Sequence, residues 1–204
     1  MIRLYRIPLS TNVERVALAL AHKKLAVESV VIDPADRSEV RRVSGQDLVP
    51  VIQDGDRVVF DSMEIVRYLE DRYPQNPLYP RDPARRAEMQ VFIDWFNRVW
   101  KRPPNEIETE MGKPAPDQAR IERLGRAMTA SLDLFEDMLM GREYLFGEFS
   151  AADCAAFPFV KYATLWEEGD EYLFHDILRR YQPPGDTHPH LGDWIRRVDR
   201  HPRV

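Results

Sequence analysis

The chain has 204 residues, 44% hydrophobic and 31% charged, and its 29 Lys and Arg against 34 Asp and Glu leave a net charge of −5. That length gives one or two domains with a proper core, and the composition excludes a disordered chain. The acidic balance lacks the basic excess of a nucleic-acid binder, so no such partner is expected. The single cysteine, Cys154, excludes an internal disulfide and a cysteine-rich zinc site, and it suits a reducing, cytoplasmic setting.

In chain order, Ile2 to Tyr5 predicts a strand. Charges at Arg3, Arg6, Glu14 and Arg15 interrupt this start too soon for a signal peptide, and no later apolar run reaches the length of a membrane span. Val13, Val16, Ala17, Leu20 and Ala21 recur at helical spacing and predict an amphipathic helix over 12–24. Val27 to Ile32 is β-branched and reads as a second strand, ended by Asp33-Pro34. Val49–Ile52 and Arg57–Phe60 flank Asp54-Gly55, the pattern of a hairpin. Ile65, Val66, Tyr68 and Leu69 then share one side of a helix. Strand, helix, strand, an undefined stretch, strand, strand and helix make a βαβ unit followed by a hairpin and a covering helix.

Pro74, Pro77 and Pro80 interrupt the next stretch and mark a linker. The expected division is therefore a first domain over 1–75, a linker over 76–83 and an all-helical domain over 84–204. Ala87, Val91, Trp95 and Val99 at four-residue steps predict a helix over 84–100. Ile121, Leu124, Met128, Leu132, Phe135 and Leu139 predict one over 117–140, and further helices are expected at 150–165, near 168–181 and at 188–199. Pro103-Pro104 and Pro114-Ala115-Pro116 suggest an irregular connection over 101–116. Phe92, Trp95, Phe96 and Trp100 form an aromatic stripe that reads as core, Cys154 reads as a buried structural thiol, and Ser150-x-x-Asp153 reads as a capping box.

Several motifs, in order, resemble those of the cytosolic glutathione transferase superfamily. Leu4-Tyr5, Ser10-Thr11-Asn12 and Arg15-Val16 resemble the first strand, active-site turn and first helix of serine-type, bacterial-like members. Leu48-Val49-Pro50-Val51 resembles the family's cis-proline turn, and Asp61-Ser62 with Ile65, Tyr68-Leu69 and Arg72-Tyr73-Pro74 resembles its acidic-serine glutathione motif. Phe149-Ser150-Ala151-Ala152-Asp153 resembles the capping motif of the helical domain, and His188-Pro189-His190-Leu191 with Trp194, Arg197 and Arg200-His201-Pro202 resembles its last helix and tail. The resemblance implies a thioredoxin-like domain followed by an all-helical domain, usually dimeric. It also implies glutathione as co-substrate and a small-molecule electrophile as second substrate, while His188-Pro189-His190, two candidate ligands beside a proline with no carboxylate placed by spacing, predicts no metal site.

The chemistry such a protein needs is the stabilisation of a thiolate. Lowering a thiol from its ordinary pKa near 8.5 to about 6.5 takes roughly 2.7 kcal/mol. A hydrogen bond to a charged group supplies about 1.5–3 kcal/mol and a helix N-terminus about 0.3–1 kcal/mol. By resemblance, Ser10 is the hydroxyl that donates to the glutathione sulfur, and Asn12 assists. Either is equally an ordinary cap residue, although Thr11-x-x-Glu14 forms a capping box that would leave Ser10 free. The resemblance makes the Val49–Pro50 bond cis, with Val49 holding the ligand's cysteinyl backbone as an added strand. It places the γ-glutamyl carboxylate on Ser62 and the ammonium on Asp61, where the plain alternative is an N-cap. Leu48 departs from the family, whose members often carry Lys or Gln there for the glycyl carboxylate. The same activated thiol serves isomerase, peroxidase, lyase or dehalogenase chemistry, and the fold also serves as a non-enzymatic interaction module.

Overall fold

The structure, a computed structural model, describes residues 1–166 and 168–204. It separates into two compact units, Met1–Pro80 with Arg200–Val204, and Arg81–Asp199.

In the first unit β1 (Ile2–Arg6), α1 (Thr11–His22) and β2 (Val27–Val31) form the βαβ element, followed by α2 (Ser38–Ser44), the hairpin β3 (Val51–Asp54) and β4 (Arg57–Phe60), and α3 (Ser62–Arg72). The sheet runs β2-β1-β3-β4, with β1 parallel to β2 and the other pairs antiparallel. Leu4 pairs with Ser29 on one side and Ile52 on the other. Alternation along the strands then divides the core. Tyr5 and Val51 face a cluster with Ile7, Ile32 and Val40 of α2. Leu4 and Ile52 are fully buried, as are Val16 and Leu20 of α1 and Ile65 and Leu69 of α3, two helices that pack on each other. The undefined stretch of the sequence holds α2, which carries only one buried residue, Val40, and so shows no apolar period.

The first unit is tied shut at its polar end. Lys23 Nζ reaches Glu70 Oε2 at 2.7 Å and the carbonyls of Tyr73, Gln75 and Asn76 at 2.8, 3.4 and 3.4 Å. Glu70 Oε2 also accepts from the Leu78 N–H at 3.0 Å. One buried ion pair thus satisfies the chain as it leaves α3. Residues 200–204, expected with the helices, group with the first unit instead. Arg203 binds Glu14 Oε1 of α1 at 3.0 and 3.2 Å, and Arg6 donates to the Val204 carbonyl at 2.6 Å.

The second unit contains α4 (Pro83–Trp95), a wide π turn (Phe96–Trp100), α5 (Arg102–Met111), α6 (Gln118–Ala130), α7 (Leu132–Leu139), α8 (Ala151–Val160), a short 3₁₀ turn (Lys161–Ala163), α9 (Leu173–Tyr181) and α10 (Pro189–Asp199). Three expectations are corrected here. The expected helix over 84–100 does not bury its four-residue stripe, since Val91 is 69% and Val99 55% exposed. The buried face runs instead through Met89, Phe92, Ile93, Phe96 and Trp100, and the helix ends in a π turn closed by Lys101 N–H to the Phe96 carbonyl. The expected irregular connection is partly α5, because Pro103 and Pro104 sit in its first turn, where no intrahelical donor is lost. The expected single helix over 117–140 breaks at Ser131, whose hydroxyl donates to the Met128 carbonyl at 2.6 Å and accepts from Trp100 Nε1 at 2.8 Å.

Every residue of α8, Cys154 included, is buried. Its capping box is present, with Asp153 Oδ2 accepting from the Ser150 N–H and hydroxyl, both at 2.9 Å. Asp153 Oδ1 accepts from Leu145 N–H at 3.1 Å and Trp194 Nε1 at 2.8 Å, which fastens α8 to α10. Phe92, Phe96, Trp100, Phe135 and Phe159 are buried in ring-to-ring contact, as the stripe predicted, while Trp95 is half-buried at its edge. Among the described residues no helix is long and apolar enough to cross a membrane.

Candidate active site

The first unit presents two helix N-termini and one cis-proline turn. After β1 the chain turns through Leu9 at φ 63°, with the Ser10 N–H bonded to the Ile7 carbonyl at 3.3 Å. Ser10 is itself the N-cap of α1, and its Oγ accepts the Val13 N–H at 3.4 Å. This corrects the expectation that Thr11 caps and leaves Ser10 free. Thr11 is the first helical residue and is buried, because the helix starts one residue earlier than its apolar period suggests. Capping uses only an acceptor lone pair of the hydroxyl, so Ser10 keeps its O–H as a donor at the positive end of α1. Asn12 is half-buried in the first turn of the same helix.

The Val49–Pro50 peptide is cis and leads directly into β3. Among the described residues no hydrogen bond is made by the Val49 N–H or carbonyl, so both backbone groups are available to a ligand strand. Leu48, immediately before, is 71% exposed. Its backbone is held by Gln46, which accepts its N–H and donates to its carbonyl at 2.9 Å. The nearby Arg37 and Arg41 are engaged by Asp47, through its carbonyl at 3.1 Å and its carboxylate at 2.8 Å.

Asp61 is the N-cap of α3 and stands at φ 67°, a left-handed value that costs a non-glycine residue about 1–3 kcal/mol. Its Oδ1 accepts the N–H groups of Met63 at 2.9 Å and Glu64 at 3.2 Å. Ser62 follows as the first helical residue, 5% exposed. Its Oγ accepts from Arg15 Nη1 of α1 at 3.2 Å. Arg15 is 1% exposed, one of the largest wholly buried side chains of the protein. A guanidinium on the oxygen directs the Ser62 hydroxyl hydrogen elsewhere, and it adds positive charge behind a helix N-terminus. The result suits an anion.

Two family models fit the chain in order. Residues 4–77 match the glutathione S-transferase N-terminal domain and residues 118–197 its C-terminal domain. Glutathione S-transferase 3 of Zea mays is 30% identical over 164 residues, 74% of this chain and 73% of that protein. The chain belongs to the glutathione S-transferase family. Glutathione S-transferase GstB of Escherichia coli is 27% identical over 96% of this chain and 91% of its own length. Among solved structures, the β-etherase LigF of Sphingobium shares the fold with a TM-score of 0.80 and 23% identity, over 98% of this chain and 96% of that one.

Within this glutathione S-transferase family member, Ser10, Asn12, Val49, Pro50, Asp61 and Ser62 all fall in the first unit. Ser62 is joined to α1 by Arg15, a residue the sequence reading used only as a motif letter. The run from Val13 to Leu20 carries two charged side chains, Glu14 and Arg15, of which Arg15 is the buried one. His188 and His190 are accounted for structurally. His188 Nε2 meets Asp133 Oδ1 at 2.9 Å, and Glu136 accepts the N–H groups of His190 and Leu191 at 3.1 and 2.9 Å at the start of α10. Among the described residues no group of three or more His, Cys, Asp or Glu side chains is placed to hold a metal.

Proposed function

We propose that this protein is a serine-type glutathione transferase that binds glutathione in its first unit and holds the sulfur as a thiolate on the Ser10 hydroxyl. The thiolate attacks a small, electrophilic, largely apolar second substrate. The observation that carries this reading is the Ser10 hydroxyl, capping α1 with an acceptor lone pair while retaining its O–H donor. It lies within the stretch matched by the family's N-terminal model.

The other contacts follow from the same unit. Asn12 assists from the first turn of α1. Val49, before the cis Pro50, pairs its backbone N–H and carbonyl with the cysteinyl residue of the tripeptide. The γ-glutamyl carboxylate sits on Ser62, whose oxygen is already held by Arg15, and the γ-glutamyl ammonium sits on the outer oxygen of Asp61. Relatives named as glutathione S-transferases over most of the chain support the same assignment. The protein acts as a cytoplasmic homodimer, without a metal and without nucleic acid or membrane as partner.

The test is a pH titration of glutathione's thiolate absorbance on the wild type and on Ser10→Ala. In the wild type the bound thiol titrates about two units below its free value of about 8.5, and in Ser10→Ala at least about one unit closer to it. Identical titrations in the two proteins would remove Ser10 from the mechanism, and failure of the wild type to bind glutathione would remove the whole reading.

A further inference from the structure

In the glutathione complex proposed above, the N–H and the carbonyl of Val49 both pair with one ligand residue, the cysteinyl. Two residues that exchange both bonds form the hydrogen-bonded pair of an antiparallel ladder. Antiparallel pairing fixes the direction of the ligand. Its γ-glutamyl end runs past Pro50 toward Val51, which pairs with Phe60, the residue before Asp61-Ser62. Its third residue lies opposite Leu48.

What the chain presents there is apolar. A hydrogen-bonded pair is flanked by a non-hydrogen-bonded one, with Cα atoms about 4.5 Å apart and side chains close together. The third residue therefore meets the Leu48 side chain, which is 71% exposed. The backbone of Leu48 has nothing to add, because Gln46 accepts its N–H and donates to its carbonyl at 2.9 Å. The same Gln46 amide also donates to Ser44 Oγ at 3.0 Å.

A carboxylate on the third residue meets no uncommitted cation on this segment. Between β2 and β3 the chain carries Arg37, Arg41 and Arg42 against Asp33, Asp36, Glu39 and Asp47. Arg41 holds the Asp47 carboxylate with Nε and Nη2, both at 2.8 Å. Arg37 donates to the carbonyls of Asp47 at 3.1 Å and Pro34 at 3.3 Å. Arg42 faces Glu39 at 3.8 Å. A ligand carboxylate that drew one of these guanidinium groups away would leave an acceptor behind, in a segment that is already acidic.

Resting on the glutathione reading above, we infer that the site recognises the γ-glutamylcysteinyl part of its thiol and leaves the third residue unread. Its substrate class is γ-glutamylcysteinyl thiols in general, including those whose third residue is esterified or absent.

Calorimetry on the wild type at low ionic strength, where a charge contact is largest, compares four ligands. They are glutathione, its glycyl ethyl ester, γ-glutamylcysteine, and cysteinylglycine, which lacks the γ-glutamyl end. The ester binds within about twofold of glutathione, γ-glutamylcysteine no more than about twofold more weakly, and cysteinylglycine at least about tenfold more weakly. Arg37→Ala and Arg41→Ala leave the ratio of glutathione to ester unchanged. A carboxylate held by a charge-assisted hydrogen bond, from any cation of the protein, would make the ester about tenfold weaker or worse and would overturn the inference. So would a variant that weakens glutathione and spares the ester. In both cases glutathione still binds, so the reading on which the inference rests survives. No binding of glutathione, or equal binding of cysteinylglycine, overturns that reading and the inference with it. The wild-type ligand series decides the matter even if a variant disturbs α2.

Discussion

The Arg15 guanidinium donates to the Ser62 hydroxyl oxygen over 3.2 Å, with the two side chains 1% and 5% exposed. If Ser62 holds the γ-glutamyl carboxylate, Arg15 orients the donor and supplies charge without touching the sulfur. Arg15→Met should then weaken glutathione binding about tenfold or more, the worth of one charge-assisted hydrogen bond. The pKa of whatever thiol remains bound should not move, because the proposed mechanism assigns that to Ser10. Calorimetry and the thiolate titration together separate these effects, and a shifted thiol pKa in Arg15→Met would contradict the division of labour.

Leu48 offers a gain of function. It is 71% exposed beside the cis-proline turn, the position that the family resemblance assigns to the glycyl carboxylate. A lysine there adds one exposed ion pair, worth about 0.2–1 kcal/mol. Leu48→Lys should tighten glutathione about two- to fivefold at low salt and lose the gain as salt rises. The dipeptide γ-glutamylcysteine, which has no glycyl carboxylate, should show no gain. Equal tightening of both ligands would place the glycyl end elsewhere.

Asp153 makes the helical unit sensitive to acid in an unusual sense. Burial pushes its carboxyl up to about 6, against the opposing pull of Trp194, Leu145 and Ser150 as donors. The unfolded chain releases this proton near 3.8, while the folded chain keeps it to about 6. The unfolded state is therefore increasingly favoured as pH rises through that window. The contribution of Asp153 is complete below about pH 4 and lost by about pH 6, a change on the order of 3 kcal/mol. Urea unfolding of Asp153→Asn should show lower stability overall, since the cap loses acceptors, and a flatter pH slope between 4 and 6 than the wild type. An unchanged slope would assign the titration to other groups.

The buried pair Lys23–Glu70, 0% and 9% exposed by side chain, closes α1 onto the chain leaving α3. Lys23→Met leaves the Glu70 carboxylate buried without its cation and should cost about 3–5 kcal/mol in urea unfolding. The double variant Lys23→Met with Glu70→Gln keeps an acceptor for the Leu78 N–H and removes the orphaned charge, so it should be more stable than the single variant. A double variant no better than Lys23→Met would mean that the carbonyls of Tyr73, Gln75 and Asn76, and not the ion pair, dominate.

What the sequence disclosed depended on how far each signal reaches along the chain. The strands at Leu4 and Ile52 and the helix at Val16 and Leu20 are written in alternation and 3.6-residue spacing, and they fold as read. The Asp61 cap announces itself by residue type just before an apolar run. The buried Trp100 was legible in the aromatic stripe with Phe92 and Phe96, whereas the rival four-residue series through Val91 and Val99 is exposed, because apolar spacing alone does not say which of two series faces the core. α2 carries one buried valine and so has no period to detect. The choice between Ser10 and Thr11 as cap turns on a single residue of helix boundary, the least legible feature of any helix. Arg15 meets Ser62 across 47 positions of sequence, a distance that local pattern cannot bridge.

The return of Arg200–Val204 to the first unit makes that unit discontinuous in the chain. Its polypeptide is interrupted after Pro80 and resumed after Asp199, so the helical unit is an insert and not an appendage. Glu14, one turn beyond Ser10, takes its guanidinium from the resumed segment. A fragment intended to isolate the thiol-binding half must therefore be spliced from two pieces, because a simple cut after Pro80 discards the counter-ion of its first helix.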